Sequence, residues 1–224
     1  MTGTQPAPPR ILAIGAHPDD VEIYCLGLLL RMQQAGWAIG WAVATDGVAG
    51  LPAGAEPELR RQEAVAAGAV VGVVPQLLGL TDGALRGTPQ DQQAVETAIK
   101  VFAPDVLVSH NRDDYHPDHR TLARLVREAC PAGTLLLEAD TMLGHGFLPD
   151  LHVDTSPVHA LKMRALEAHA SQAAPAFRPK LETWSAFRAL HCGVRGASHA
   201  EGYRTCPTAA TTRMLRHLVA TLGT

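Results

Sequence analysis

A histidine and two aspartates stand within four residues near the N-terminus, directly after a short apolar run. The run covers residues 11–14, and its composition is typical of a buried strand. His17, Asp19 and Asp20 follow it. Imidazole and carboxylate groups both bind zinc, and a catalytic zinc ion needs three protein ligands with one position left open. The alternative is an Asp-rich turn in which one aspartate caps the next helix. This segment alone does not decide between the two.

The same combination of residue types recurs much later in the chain. An apolar run at residues 106–108 leads into a segment rich in His and Asp, and a helical pattern begins near Asp118. His116 and His119 are close enough in the sequence for both side chains to reach one site. In open parallel α/β sheets, ligands bind beyond the carboxyl ends of the strands. Two such loops therefore predict one metal site at that edge of a sheet.

The composition is that of one globular domain. The 224 residues are 46% hydrophobic and 18% charged, which suits a single α/β core. The formal net charge of -3, with no basic block, argues against nucleic acid as a partner. No apolar run approaches the roughly 20 residues that a membrane-spanning helix needs. We expect residues 1–10 to be a flexible arm and residues 11–224 to form one domain.

The cysteines and the N-terminus bear on the compartment. The four cysteines form no CxxC pair, and reduced thiols are the default at this size. The first ten residues lack the apolar core of a signal peptide. Both observations favour a cytoplasmic location. The apolar helices permit, but do not require, a homo-oligomer.

Segments with strand character alternate with helical patterns along the chain. Strands are predicted at residues 11–14, 37–45, 77–80, 106–108, 134–137 and 151–153. Helices are predicted at residues 21–34, 56–72, 89–102, 118–130, 157–170, 181–193 and 208–222. This alternation predicts a single-domain, Rossmann-like, doubly wound and mainly parallel α/β sheet with helices on both faces. The Gly- and Pro-rich residues 47–55 are expected to form a loop at the rim of the site.

The two polar motifs together resemble those of the LmbE-like deacetylases. The family's AHPDD pattern with a following Glu is matched by residues 16–20 and Glu22, and its HPDH pattern by residues 116–119. This PIG-L family includes the GlcNAc-phosphatidylinositol de-N-acetylases and the deacetylases of mycothiol and bacillithiol synthesis. The resemblance runs from about residue 11 to residue 172. Looser matches lie at residues 60–63, 78–85, 169–172 (an AHxSQ-like stretch) and 201–204.

The resemblance implies roles for five residues. His17, Asp20 and His119 would bind a zinc ion. Asp19 would be the general base, and His116, as an imidazolium, would polarise the acetyl carbonyl or stabilise its oxyanion. A set of two histidines and one aspartate also binds other divalent ions, so the metal in the cell depends on availability.

Three further residues have weaker assignments. Arg60 and Asp82 correspond to sugar-binding positions, although a solvated helix arginine and a turn aspartate are the alternatives. Asp118 either orients His116 or His119 as a neighbouring carboxylate or caps the following helix.

The chain departs from the family in two places. Residues 24–27 replace a Gly-Cys-Gly-Gly-like sequence found in many members, and residues 110–115 differ from the mycothiol-type enzymes at the expected rim. The resemblance therefore supports the reaction better than the substrate. Five further histidines lack metal-binding spacing with one another, and of these His169 is the one to test. The other four are His145, His152, His159 and His191.

These observations predict a zinc-dependent amidohydrolase that removes an N-acyl group, chiefly acetyl, from an N-acetylglucosamine-type conjugate. Alternatives are an amidase acting on a thiol conjugate of a glucosaminyl scaffold, and a non-catalytic metal- or nucleotide-binding module on the same fold. The first strand turn lacks GxGxxG, and Pro18 removes a backbone N–H that a phosphate would need. Asp19 and His116 are both present, which argues against a module that has lost its activity.

Overall fold

The computed structural model describes residues 7–141, 146–172 and 174–223, and its strands form one seven-stranded sheet. The strands are β1 (Arg10–Gly15), β2 (Ala38–Thr45), β3 (Gln76–Leu80), β4 (Val106–His110), β5 (Leu135–Ala139), β6 (Leu151–Asp154) and β7 (Ala200–Cys206). The helices are α1 (Asp20–Tyr24), α2 (Leu26–Gln34), α3 (Leu59–Val71), α4 (Pro89–Phe102), α5 (Pro117–Ala129), α6 (His159–Leu166), α7 (Ala174–Ala189) and α8 (Thr212–Leu222).

The sheet is mainly parallel, as the alternation of elements predicts. Its strand order is β3-β2-β1-β4-β5-β7-β6. Strands β1 to β5 run parallel to their neighbours among themselves, whereas β7 is antiparallel to both β5 and β6. The α/β class and the doubly wound arrangement are therefore confirmed, with one reversed strand added.

Both faces of the sheet are covered by helices, and β1 shows why. Ile11 and Ala13 belong to one buried cluster, and Leu12 and Ile14 belong to another on the opposite face. Successive side chains of a strand point to opposite faces, so a run that is apolar throughout must be buried on both. Residues of α2, α3, α6 and α8 pack in the first cluster, and residues of α4 and α5 pack in the second.

The strand order reverses between β1 and β4. From β1 the chain proceeds outward to β2 and β3, and it then returns to add β4 on the other side of β1. Such a reversal leaves a crevice at the carboxyl ends of the two strands, where ligands bind in open α/β sheets. The turns that follow β1 and β4 carry the two polar motifs, so the topology brings them together.

The structure departs from the predicted elements in several places. Helix α7 (Ala174–Ala189) begins seven residues before the predicted helix at 181–193, and α6 (His159–Leu166) is shorter than the helix predicted at 157–170. Strand β1 begins at Arg10, whose N–H donates to Asp105 at 2.8 Å, so the last residue of the expected arm is part of the sheet; residues 1–6 lie outside the described ranges. The first predicted helix is interrupted at Cys25, which divides α1 from α2. Strand β7 was not predicted. Within the described residues, no helix has both the length and the apolar character needed to cross a membrane.

Candidate metal centre and active site

The turn after β1 is folded tightly against the start of α1. A Cβ atom at Gly15 would lie 2.8 Å from the Cβ atom of Asp20, so only glycine allows this approach. The N–H of His17 donates to Asp20 Oδ2 at 2.7 Å. Asp19 has φ 115, in the left-handed region that non-glycine residues rarely adopt. Strained backbone of this kind tends to occur at functional sites.

The turn after β4 is held by the N-terminus of α5. His116 caps this helix, because its Nδ1 accepts the N–H of Asp118 at 3.2 Å. Pro117 occupies the first helical position, where its missing N–H costs nothing. His119 follows in the first helical turn and is buried.

The three residues expected to bind metal come together in a small triangle. His17 Nδ1 lies 3.3 Å from Asp20 Oδ2, His119 Nε2 lies 3.4 Å from the same oxygen, and the two nitrogens are 3.2 Å apart. Ligands bound to zinc at about 2.0–2.1 Å in a tetrahedral arrangement are about 3.3–3.4 Å apart. The donor atoms therefore have the types and the spacing of three corners of a zinc tetrahedron.

Each histidine of the triangle is backed by carboxylates on its other ring nitrogen. Asp82 Oδ1 lies 3.1 Å from His17 Nε2, and Asp118 Oδ2 lies 3.4 Å from the same nitrogen. Asp114 Oδ1 lies 3.1 Å from His119 Nδ1. Carboxylates in this position orient a ligand histidine and increase its basicity.

The structure adds contacts that were not expected to two of the sequence-based assignments. Asp82, expected to bind the sugar, lines the cavity and also lies against His17. The carboxylate of Asp118, expected at His116 or His119, lies at His17. Asp118 is joined to the loop after β3 as well, because it accepts the N–H of Gly83 at 2.8 Å. The role of Asp114 beside His119 was missed, since sequence spacing does not show which way a loop carboxylate points.

The surrounding charge favours a cation at the triangle. Burial lowers the pKa of His17, but its contacts with Asp118, Asp20 and Asp82 outweigh burial and raise that pKa to about 12. Burial likewise lowers the pKa of His119, but Asp20 and Asp114 raise it to about 9. Carboxylates that hold protons on buried imidazoles would also stabilise a metal ion, and binding of the metal releases those protons.

His110, at the end of β4, is a neighbour of the triangle that sequence analysis placed only in the rim segment. Its ring stacks on that of His119 with centroids 3.7 Å apart, and its Nε2 lies 3.2 Å from Asp20 Oδ2. Nε2 also accepts the N–H of Ala16 at 3.0 Å. The lone pair of Nε2 is therefore engaged by the backbone, although His110, Asp20 and His119 also offer ligand atoms close enough together to hold a metal ion.

Asp19 lies beside the triangle and is held by an arginine. Arg60 Nη2 donates to the carbonyl oxygen of Pro18 and lies 3.4 Å from Asp19 Oδ2. Burial, followed by the charge of Asp20, raises the pKa of Asp19 to about 7, although Arg60 opposes the shift. A carboxyl group with a pKa near 7 is suited to proton transfer at neutral pH. Arg60, assigned from sequence to the sugar, is buried and contacts the candidate base.

His116 presents a neutral ring rather than the expected imidazolium. Its Nδ1 accepts a backbone N–H and therefore carries no proton, which places the proton on Nε2. Burial, followed by the charges of His17 and His119, lowers the pKa of His116. The ring also lines the same cavity as Asp19, so its Nε2–H is a donor available to a ligand.

The looser family matches converge behind Asp19. His169 Nε2 lies 2.6 Å from Glu22 Oε1, and both side chains are fully buried. The carboxylate of Glu63, on α3, accepts the N–H of Ser171 at 2.7 Å and its hydroxyl at 2.6 Å. The first motif, the Arg–Glu helix and the AHxSQ-like stretch therefore form one packed unit. His145 lies outside the described residues.

The triangle opens into a cavity of 480 Å³. His17, Asp19, Asp20, His116 and His119 line its polar part. An apolar wall, formed by Ile23, Leu166 and Phe177, lines another part. A volume of this size accommodates a small organic ligand.

The family model of the GlcNAc-PI de-N-acetylases, PIG-L, matches residues 12–130 of the chain. The protein belongs to the PIG-L family. The match contains both motifs and the whole triangle of the candidate metal centre. Hydrolysis of an N-acetyl amide is the reaction of this family, and the fold around the triangle is the fold on which the family carries it out.

Individual relatives of this PIG-L protein agree with the family match. The chain is 28% identical to a diacetylchitobiose deacetylase from Thermococcus kodakarensis over 88% of its own length and 83% of that enzyme. The crystal structure of N,N'-diacetylchitobiose deacetylase from Pyrococcus horikoshii superimposes with a TM-score of 0.77 at 22% identity, covering 88% of this chain and 84% of that one.

A second similar structure is that of 4-carboxy-2-hydroxymuconate hydratase from Pseudomonas putida. It superimposes with a TM-score of 0.75 at 19% identity and covers 90% of this chain and 98% of that one. At these identities the two solved structures show a shared fold alone, because one fold carries different chemistries. The reaction must be argued from the side chains of the site.

Proposed function

We propose that the protein is a zinc-dependent deacetylase that hydrolyses the acetamido group of an N-acetylglucosamine-type conjugate. The reaction consumes water, releases acetate and leaves a free amine. The observation that carries the proposal is the triangle of His17 Nδ1, Asp20 Oδ2 and His119 Nε2 beside the carboxylate of Asp19. Zinc is the proposed metal because this donor set is common in catalytic zinc sites, although other divalent ions suit it too.

Asp19 is the proposed acid and base. A zinc ion held by the triangle would act as a Lewis acid and favour the loss of a proton from water at neutral pH. The Asp19 carboxylate accepts that proton, and the protonated side chain then passes a proton to the amine nitrogen as the C–N bond breaks. Arg60, through Pro18 and Asp19, keeps the carboxylate directed toward the cavity.

His116 is the proposed donor to the oxyanion. As water adds to the amide carbon, negative charge develops on the former carbonyl oxygen, and the Nε2–H of His116 can donate to it. The backbone hydrogen bond to Nδ1 fixes this tautomer before substrate arrives. Loss of a preorganised donor of this kind costs about 3 kcal/mol of transition-state stabilisation.

A cytoplasmic location is part of the proposal. Within the described residues the four cysteines are free thiols, and two of them are buried. Free thiols are usual in a reducing compartment. A homo-oligomer and the lack of a nucleic-acid partner remain predictions from the sequence.

Acetate release from a panel of acetylated amino sugars tests the proposal. The panel contains N-acetylglucosamine, N,N'-diacetylchitobiose and a glucosaminyl thiol conjugate. We expect the zinc-loaded protein to release acetate, and Asp19→Asn to lower kcat by about 10²- to 10⁴-fold while it retains one zinc ion. Release of amine from the thiol conjugate without acetate would favour the amidase alternative. No product from any compound, with zinc bound, would overturn the proposal.

A further inference from the structure

One side of the catalytic cavity is apolar, and three different helices build it. Ile23 belongs to α1, Leu166 ends α6, and Phe177 lies in α7. Leu166 and Ile23 are part of the buried core, whereas Phe177 is only partly buried and packs against that core. A partly buried aromatic ring at a cavity wall offers apolar surface to a ligand, and covering that surface is favourable.

Among the described residues, no exposed Lys or Arg in the polar part of the cavity could meet an anionic ligand. Three carboxylates line it, from Asp19, Asp20 and Asp82, and a divalent ion would offset most of their charge. Within the described residues, Arg60 is the one Lys or Arg that lines the cavity. Its Nη2 is engaged by Pro18 and Asp19. The segments outside the described ranges contain no Lys or Arg.

Arginines next to the cavity are engaged as well. Arg120 Nη1 donates to the carbonyl oxygens of Asp114 and Tyr115 at 2.8 and 2.7 Å. Arg178, adjacent to Phe177, pairs with Glu167 and Glu182. Proteins bind phosphate groups through charge-assisted hydrogen bonds from Arg, Lys or clustered backbone N–H groups. Of these three arginines, Arg60 alone lines the cavity, and at 3% exposure it presents almost no surface to a phosphate group. Its Nη2 pairs with Pro18 and Asp19, and its Nε is buried without a partner.

We infer that the substrate carries, next to its reacting amide, an uncharged group with an apolar face that packs on Ile23, Leu166 and Phe177, and that phosphorylated conjugates bind poorly. The inference rests on the proposed deacetylation, because it names the substrate class of that site. An uncharged glycoside fits both the apolar wall and the charge of the cavity. A sugar phosphate or a nucleotide sugar fits neither.

Direct binding tests the inference apart from catalysis. Zinc-loaded His116→Ala protein, in which Asp19 still pairs with Arg60, is titrated by calorimetry with para-nitrophenyl N-acetylglucosaminide and with N-acetylglucosamine 1-phosphate. We expect the neutral aryl glycoside to bind at least about tenfold more tightly. Equal affinity, or tighter binding of the phosphate, would overturn the inference. If the aryl glycoside binds preferentially but the parent enzyme releases no acetate from any compound, the proposed function fails while the assignment of the apolar wall stands.

Two phenylalanines on one helix separate the effect of the wall from general destabilisation. Phe177→Ala should raise KM for the aryl glycoside about tenfold and leave kcat nearly unchanged, because contact with the non-reacting group is lost. Phe187→Ala is the matched control, since Phe187 lies outside the cavity on the same helix and is 50% exposed. KM for methyl N-acetylglucosaminide should change little in either variant. Equal KM values for the two variants with the aryl glycoside would overturn the inference.

A lysine introduced at the rim of the cavity tests whether the lack of an exposed cation there weakens the binding of phosphorylated ligands. Ala49 is exposed and lines the cavity, so Ala49→Lys places an ammonium group at its rim without disturbing the core. We expect this substitution, in the His116→Ala background, to tighten binding of N-acetylglucosamine 1-phosphate about tenfold. Binding of the aryl glycoside should be unchanged. Failure of the added cation to improve phosphate binding would contradict the charge argument.

Discussion

At the level of single residues, the centre is built from histidine–carboxylate pairs. His17 is backed by Asp82 and Asp118, and His119 is backed by Asp114. Such a pair would fix which ring nitrogen faces a bound metal ion. Three elements supply these carboxylates: the loop after β3, the loop after β4 and the start of α5. Asp82 and Asp114 lie outside the two sequence motifs, whereas Asp118 belongs to the second motif.

Asp82→Asn tests this dependence. The substitution keeps the shape of the side chain but removes the charge behind His17, so we expect zinc affinity to fall by about 10- to 100-fold. Competition with a chromophoric chelator measures the affinity. Asp113→Asn is the control, because the Asp113 side chain is 54% exposed and its one ion pair among the described residues is with Arg204 at 3.4 Å. If both variants bound zinc like the parent protein, Asp82 would have no part in orienting His17.

Sequence analysis predicted the three candidate ligands better than the residues that contact those ligands. AHPDD and HPDH place a His, an Asp and another His in two turns, and the structure brings those three residues together. Asp82 and Asp118 were assigned other contacts, and Asp114 and His110 were not assigned to the centre. Their roles depend on how two loops fold over one another, which side-chain spacing does not reveal. The contact of Arg60 with Pro18 was not predicted either, because the two residues are 42 positions apart in the sequence.

At the level of elements, strand prediction succeeded for the parallel part of the sheet and failed for β7. Strands β1, β2, β4 and β5 are short apolar runs, because a parallel strand buried on both faces must be apolar. Strand β7 contains Glu201 and Arg204 and has no such run. Its charged residues are paired: the buried Glu201 is held by Lys162 and Tyr203, and the partly exposed Arg204 contacts the buried Glu138. A strand stabilised in this way carries no periodic signal.

Glu201 joins β7 to the helices beneath the active site. Its carboxylate accepts the N–H groups of Gly27 and Leu28 at 2.8 Å each, at the start of α2. Lys162 Nζ donates to Glu201 at 2.6 Å and to the carbonyl oxygen of Ile23 at 2.9 Å. The break between α1 and α2 is therefore fixed by a buried ion pair. A Cβ atom at Gly27 would lie 2.6 Å from Glu201 Oε1, so this close approach requires glycine.

Lys162→Met should destabilise the protein strongly. Lys162 is 1% exposed, and its loss leaves the buried carboxylate of Glu201 without a counter-charge. Removal of one partner of a buried ion pair costs about 3–5 kcal/mol. Urea unfolding measures the change, with Lys100→Met as the control because Lys100 is exposed on α4. A loss of stability similar to that of the control would show that the pair contributes little.

At the level of the whole molecule, the sheet explains where the site lies. The order of strands reverses between β1 and β4, and the carboxyl ends of these two strands present the triangle. The doubly wound arrangement was predictable from the alternation of elements, and it already indicates this edge as the place for a ligand. Helices from one face of the sheet then complete the cavity with an apolar wall. The positions of the loop carboxylates and of the residues that form the apolar wall could be determined only from the structure.

We expect the stability of the whole molecule to fall at acid pH because of a pair of stacked histidines, His159 and His199. The rings of His159 and His199 stack in parallel with centroids 3.5 Å apart. Neither ring nitrogen of His159 has a hydrogen-bond partner among the described residues. Burial, followed by His199 and Lys162, lowers the pKa of His159 to about 4, with Arg178 adding to this effect and Glu182 opposing it. The unfolded chain, with an ordinary histidine pKa near 6.5, therefore binds the proton more readily.

The difference between the pKa of His159 in the folded protein and in the unfolded chain determines how stability changes with pH. The contribution of His159 to stability is complete above pH 6.5 and falls as the pH decreases toward 4, because protonation favours the unfolded chain. We expect His159→Phe to reduce the loss of unfolding free energy between pH 7 and pH 5 by about 1 kcal/mol. Urea unfolding at both pH values measures it. His191→Phe, at an exposed position, is the control and should behave like the parent protein.

Zinc titration of the metal-free protein, with acetate release followed at each step, tests the central claim most directly. The substrate is the compound of the acetylated amino-sugar panel that releases the most acetate. We predict that activity rises in proportion to added zinc and reaches its limit at one equivalent. Activity should be about 10²- to 10⁴-fold lower in Asp19→Asn although that variant binds the same single equivalent. Full activity without metal, or none after one equivalent is bound, would contradict the claim that His17, Asp20 and His119 hold the metal used by Asp19.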